Sequence, residues 1–212
     1  MLIVCPELTE RKYPGAEWYQ EGGIMDTDGH IREKEERTFS ATDRIVAEVK
    51  KRTQAAGKII LFGHSAGGQF VHRWALLGGK KNVDVIAVAN SGWFTMPDRD
   101  IDYPYGIKNV GITDEELGEA FAKPVILFMG EKDVERKPPF RDTPEADAQG
   151  MNRMERCTNY FRQCKAKAEE LRVPFRWKLE TVEGAAHQGV KMAEGAAAYI
   201  FGKSSEDRNR RV

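Results

Sequence analysis

The residues best able to do chemistry lie together in Gly63-His64-Ser65-Ala66-Gly67-Gly68. The first five spell G-x-S-x-G. They stand between Lys58-Ile59-Ile60-Leu61-Phe62, an apolar run of strand character, and Gln69–Leu77, whose Phe70, Val71, Trp74 and Ala75 share one helical face. A strand, a sharp turn and a helix in that order hold a serine with its oxygen exposed, and the turn needs small residues because the backbone passes close to itself. Ser65 is therefore the candidate nucleophile for acyl transfer. The Ala66 N–H, at the start of the helix, is the candidate donor to a developing oxyanion. A Gly-rich structural turn is the other reading of these residues, and the flanking strand and helix favour the nucleophile. The chain has four histidines. His64 lies inside the motif, His72 about two helical turns past Ser65, His30 in a polar loop, and His187 near the far end.

The elements needed to position such a site alternate along the chain. Leu2–Cys5 reads as a strand, Ser40–Thr53 as a helix with Ser40 and Asp43 as a capping pair, and Asp84–Ala89 and Pro124–Met129 as buried strands rich in Val and Ile. Thr113 followed by Glu116 predicts a small capped helix. Thr143-Pro144 predicts the start of a longer one running toward Leu171. Phe175–Val182 alternates apolar Phe175, Trp177 and Leu179 with charged residues, a strand with one wet face, and Val190–Phe201 predicts a closing helix. Apolar runs separated by helical patterns predict a three-layer α/β/α fold on a doubly wound, mostly parallel sheet. Residues 1–202 form one domain in this reading. Within it, 94–123 is a short lid-like insertion whose Tyr103 and Tyr105, with Trp93 and Phe94 at the strand end, are candidate walls of a substrate pocket or else plain core.

Composition narrows the partners. Lys plus Arg and Asp plus Glu are 33 each in 212 residues, so the net charge is zero and nothing pulls the chain toward nucleic acid. No run of about 18 apolar residues predicts a membrane span, and Met1–Cys5 lacks the basic start and apolar length of a signal peptide. Lys203–Arg211 reads as part of a frayed tail, 203–212. Cys157 and Cys164 fall on the stripe Met154, Cys157, Phe161, Cys164, Ala168, Leu171 and read as core thiols, too far apart on one helix to pair.

Taken together, the motif and its setting resemble the α/β-hydrolase superfamily from Leu2 to Phe201, nearest its polyhydroxybutyrate-depolymerase-like and dienelactone-hydrolase-like esterases. In that family the catalytic order is serine, acid, histidine. Gly130-Glu131-Lys132-Asp133, after Pro124–Met129, looks like the family's G-x-x-D turn, which implies Asp133 as the acid. Glu131 offers a second carboxylate in the same turn. Val182-Glu183-Gly184-Ala185-Ala186-His187 is similar to the family's base loop and implies His187 as the base, with a solvated loop histidine as the other reading. The resemblance implies a serine carboxylic-ester hydrolase that forms an acyl-serine on a small-molecule or polymeric ester, without metal or cofactor. A peptidase would use the same triad, and a non-catalytic, degenerate hydrolase-fold protein is the competing class. One departure stands out. The family's strand that supplies a second oxyanion donor has no match, because Leu2-Ile3-Val4-Cys5-Pro6-Glu7 looks like the strand after it. The expectation is that the chain is truncated before that strand, or that Leu2–Cys5 fills the vacant slot.

Overall fold

Four apolar runs become the strands of one parallel sheet in the computed structural model, which describes residues 2–53, 57–79 and 83–202. The strands are β1 (Ile60–His64), β2 (Val85–Ala89), β3 (Val125–Gly130) and β4 (Lys178–Val182), in the spatial order β1-β2-β3-β4. Register is continuous, with Leu61 opposite Ile86, Ala87 opposite Ile126, and Leu127 opposite Leu179. The crossovers are made by the helices Ala66–Leu77, Asp114–Phe121 and Arg153–Glu170. Each steps one strand in the same direction, and since parallel crossovers share one hand, all three fall on the same face. The helix Gly189–Phe201 lies across the opposite face. Before β1 come a short helix, Gly15–Tyr19, and a longer one, Thr38–Thr53, and a one-turn helix, Pro144–Asp147, precedes Arg153. In chain order the helices are α1 to α7: Gly15–Tyr19, Thr38–Thr53, Ala66–Leu77, Asp114–Phe121, Pro144–Asp147, Arg153–Glu170 and Gly189–Phe201.

The strand period of two sorts the side chains into two cores. Ile86, Val88, Val125, Leu127 and Met129 pack beneath α3, α4 and α6 with Trp74, Leu117, Phe121 and Tyr160. Ala87, Ala89, Ile126 and Phe128 face α7 through Met192 and Ala196. Burying each large side chain of this kind contributes about 1.5–3 kcal/mol, so the two-sided sheet is the main source of rigidity under the site. The thiols of Cys157 and Cys164 are enclosed and pushed up by burial, as core thiols should be.

Several sequence expectations are corrected. Leu2–Cys5 is not a strand: Leu2 and Ile3 are 63% and 70% exposed, and the segment does not fill a sheet position. Among the described residues β1 pairs only with β2, and its Phe62 is exposed. Ser40 and Asp43 do not cap α2, which begins two residues earlier. Ser40 Oγ donates to the Glu35 and Arg37 carbonyls, while Asp43 Oδ1 accepts the Trp74 indole N–H at 3.1 Å, tying α2 to α3. The helix expected from Thr143 toward Leu171 breaks in two, because Gly150 sits at φ 146° and Asn152 caps a new start by accepting from Glu155 N at 2.9 Å. Segment 94–123 is no free lid. Met96, Ile107, Val110, Leu117 and Phe121 are buried in the main core, and its last part carries α4, the crossover helix itself, with the expected Thr113–Glu116 capping box formed. The expected frayed tail, 203–212, lies outside the described residues.

Candidate active site

The end of β1 delivers Ser65 into a turn that only small neighbours allow. A side chain at Gly63 would place its Cβ 2.2 Å from the Gly67 carbonyl oxygen, so that position must be glycine. Ser65 itself stands at φ 55°, ψ −115°, a sparsely populated conformation that costs on the order of 1–3 kcal/mol and persists because its surroundings hold it. Its N–H donates to Ala89 O at 3.0 Å at the end of β2, and its carbonyl accepts the first helical hydrogen bond of α3, from Gln69 N at 2.9 Å. The N–H of Ala66 sits in the first turn of α3, where helix N–H groups have no intrahelical acceptor.

Two loops beyond β3 and β4 converge on this turn. His187 Nε2 lies 2.9 Å from Ser65 Oγ, and His187 Nδ1 lies 2.7 Å from Asp133 Oδ2. A carboxylate only accepts, so the imidazole proton belongs on Nδ1 and the Nε2 lone pair faces the serine hydroxyl. Asp133 is 3% exposed and its other oxygen accepts from Arg153 Nη1 at 3.2 Å. Glu131, the alternative carboxylate, does not reach the imidazole. Its Oε2 accepts from Gly184 N at 2.8 Å and braces the loop that carries His187.

Asn90, just past β2, ties the end of β3 to the loop that carries His187, and the sequence reading passed over it. It stands at φ 44° and is buried. Its Nδ2 donates to Ala186 O at 2.9 Å while its Oδ1 accepts from Gly130 N at 2.7 Å. Gly130 has no room for a side chain, since a Cβ there would lie 2.7 Å from Ala185 O. An asparagine directly after a buried strand, where a left-handed residue can end it, was the available signal.

The remaining histidines are accounted for. His64 lies beside His187, ring centroids 4.9 Å apart, and burial first, then the neighbouring imidazole, hold it down to about 4, so it stays neutral. His72 is fully buried; its Nε2 accepts from Thr95 N, which leaves Nδ1 to donate to Gly68 O. His30 is in an exposed loop with Asp26 and Asp28, where Asp26 accepts the Asp28 and His30 backbone N–H groups as an ordinary turn residue does.

The four aromatic candidates separate. Phe94 is wholly enclosed, stacked on Tyr160 at 4.5 Å, with its backbone clasped by the Gln149 amide, so it is core and not a pocket wall. Trp93 is also buried, between the Arg73 guanidinium at 4.2 Å and the Tyr105 ring at 4.7 Å. Tyr105 is partly exposed and accepts from Arg141 Nε. Tyr103 lines a cavity of about 220 Å³ with Glu17, Glu21 and Pro104, and its hydroxyl donates to Glu21 O. Tyr19, absent from the sequence reading, brings its hydroxyl to 3.5 Å from where a Gly67 Cβ would stand, and burial raises its phenol, so it remains a donor at neutral pH.

The same architecture is found in solved hydrolases. A poly(aspartic acid) hydrolase from Sphingomonas sp. KT-1 is 33% identical, over 92% of this chain and 75% of that one, with a TM-score of 0.86. The chain belongs to the α/β-hydrolase superfamily. A poly(3-hydroxybutyrate) depolymerase from Bordetella parapertussis is 29% identical over 95% of this chain and 70% of that one, with a TM-score of 0.84, and agrees with the branch the motifs resemble. No family model and no curated protein matches the sequence. As a member of this superfamily with hydrolases as its neighbours, the chain is a hydrolase.

Proposed function

We propose that this hydrolase cleaves a carboxylic ester through an acyl-serine intermediate, with Ser65 as nucleophile, His187 as general base and acid, and Asp133 as the orienting carboxylate. The observation that carries this is the unbroken chain Ser65 Oγ, His187 Nε2, His187 Nδ1, Asp133 Oδ2 at 2.9 and 2.7 Å, set on a strained serine turn. His187 Nε2 accepts the hydroxyl proton as Ser65 Oγ attacks the acyl carbon. Asp133 holds the imidazole in that tautomer and stabilises its positive charge. The carbonyl oxygen takes the negative charge, which the Ala66 N–H meets at the positive end of α3. Collapse expels the alcohol with the proton from Nε2. Water then repeats the cycle against the acyl-serine and releases the carboxylic acid.

The substrate class is a small-molecule or polymeric ester, a reading that the neighbouring polyester depolymerase supports. A second reading has a specific support: the other neighbour acts on poly(aspartic acid), a polymer joined by amide bonds, and the same constellation can open an amide. Fluorophosphonate labelling followed by a panel of p-nitrophenyl esters, 3-hydroxybutyrate oligomers and aspartate oligomers tests both. Labelling of Ser65 with ester turnover is the expected result, and amide turnover exceeding ester turnover selects the second reading. A wild-type chain whose Ser65 is not labelled is not a serine hydrolase.

A further inference from the structure

Two arginines occupy the first turn of α6, where a helix disfavours cations because its N-terminus already carries positive partial charge. Both are also buried, Arg153 at 5% exposure and Arg156 at 0%. Such placement needs a compensating partner for each. Arg156 has an acceptor for every nitrogen: Nε donates to Gly150 O, Nη1 to Gly92 O, and Nη2 to Arg141 O and Asp147 Oδ1, all between 2.8 and 2.9 Å. That is a structural staple. Arg153 differs. Its Nη1 donates to Asp133 Oδ1 at 3.2 Å and Glu135 O at 3.3 Å, and its Nη2 to Pro139 O at 2.6 Å, but its Nε is buried without an acceptor. A buried donor left unmade is costly, so this guanidinium is placed for its two ends and not for complete satisfaction. One of those ends is the carboxylate that orients His187.

We propose that Arg153 is a positioning residue of the hydrolytic site: it fixes the Asp133 carboxylate so that Oδ2 faces His187, and by sharing that negative charge it limits how strongly Asp133 holds a proton on the imidazole. The proposal rests on the Ser65–His187–Asp133 reading. Two consequences follow from the geometry. Without Arg153 the carboxylate is free to rotate and loses the angle it presents to Nδ1. Its charge is also less divided, so the protonated imidazole is stabilised more and the base is switched off at a higher pH. The other charged groups around His187 leave this signal legible. His64, at the end of β1, is neutral across the working range, and the Arg153 cation is one of the influences that hold it so. In the acid turn, Glu131 is committed to Gly184 N and Lys132 is exposed. In the base loop Glu183, and on α7 Lys191 and Glu194, are exposed and screened by solvent.

The test compares wild type with Arg153→Met, which removes charge and donors, and Arg153→Lys, which keeps the charge without the two-ended fork. The readouts are kcat and KM on a p-nitrophenyl ester across pH, and the NMR titration of the His187 imidazole, which needs no turnover. Arg153→Met is expected to lower kcat about ten- to a hundred-fold with KM little changed. The acid limb of its kcat/KM profile and the His187 titration should move up together. Arg153→Lys should return both to the wild-type position while recovering only part of kcat. If Arg153→Met does not fold, Arg153→Gln, a neutral donor, carries the same comparison. An unmoved His187 titration in the folded neutral variant overturns the proposal, even where thermal stability has fallen, because a purely structural arginine would produce that pattern. A shifted titration in a protein with no hydrolytic activity would instead remove the parent reading and leave the coupling of Arg153 to His187 standing.

Discussion

Replacing Asp133 by asparagine tests the catalytic reading most sharply, because the surroundings of that side chain dictate which way the amide must point. One carboxylate oxygen accepts from His187 Nδ1 at 2.7 Å and the other from Arg153 Nη1 at 3.2 Å. Asparagine has one acceptor and one donor end. Arginine can only donate, so the amide oxygen must turn to Arg153 and the NH2 group must turn to His187. The imidazole then accepts at Nδ1 and carries its proton on Nε2, facing Ser65 Oγ with a hydrogen where it needs a lone pair. A wrong tautomer of this kind costs about four decades in kcat, or about 5.5 kcal/mol of barrier. The substitution also leaves a buried cation without its counter-charge, at about 3–5 kcal/mol, which for a chain of this size lowers the melting temperature by about 6–20 °C. The assay is kcat on a p-nitrophenyl ester at a temperature where circular dichroism shows the variant folded, beside Glu131→Gln, which keeps an acceptor for Gly184 N and should remain within about three-fold of wild type. Asp133→Asn within ten-fold of wild type, or a collapse of Glu131→Gln instead, refutes the assignment of the acid.

Other outcomes follow from the same geometry. Ser65→Ala and His187→Ala should fall to a common residual rate with the double variant no slower, since such residues act as a unit; full activity in Ser65→Ala would remove the site. Asn90→Ala deletes both the donor to Ala186 O and the acceptor for Gly130 N, so the acid and base loops should loosen, with about 1–3 kcal/mol lost in urea unfolding and a larger loss in kcat than in KM. Unchanged kinetics would show that the loops hold their register without it. Acid should also destabilise the fold. His64 is depressed to about 4 from an unfolded value near 6.5, and His72 is depressed as well, so below pH 6.5 the unfolded chain binds protons that the native one does not. The stabilisation is complete above pH 6.5 and is lost as pH falls. For His64 alone the 1.5 units between 6.5 and 5 come to about 1 kcal/mol after discounting for its partial exposure. Urea midpoints at pH 7 and pH 5 check this, and equal midpoints would contradict it.

The parts of this protein legible in its sequence are those governed by short-range rules. The turn at Ser65 could be read because close backbone passage demands glycine at Gly63, and the strands because apolar runs of five or six residues fit a sheet covered on both sides. The Thr113–Glu116 cap was legible for the same reason: both of its hydrogen bonds close within one turn. Where the reading failed, a distant group had decided the matter. Asp43, suited to a cap, was taken by the Trp74 indole 31 residues on, and Leu2–Cys5, with the composition of a strand, found no partner edge. Phe94 and Tyr105 look alike as pocket candidates, yet only contacts with Tyr160 and Arg141 put one in the core and leave the other at the surface.

For the site itself, the G-x-S-x-G run marked a serine in a tight turn after a strand, and the resemblance in family order pointed to a carboxylate and a histidine further along. The sequence did not contain the distances. Ser65 and His187 are 122 residues apart, and the sheet brings them to 2.9 Å because parallel strands direct all their C-terminal ends, and the loops that leave them, to one edge. Tertiary structure alone separates Asp133 from Glu131, since the turn after β3 aims one carboxylate at the imidazole and the other at Gly184 N. It alone placed Arg153 behind the Asp133 carboxylate, because a cation in the first turn of a helix runs against local preference and is tolerated only where folding supplies its counter-charge.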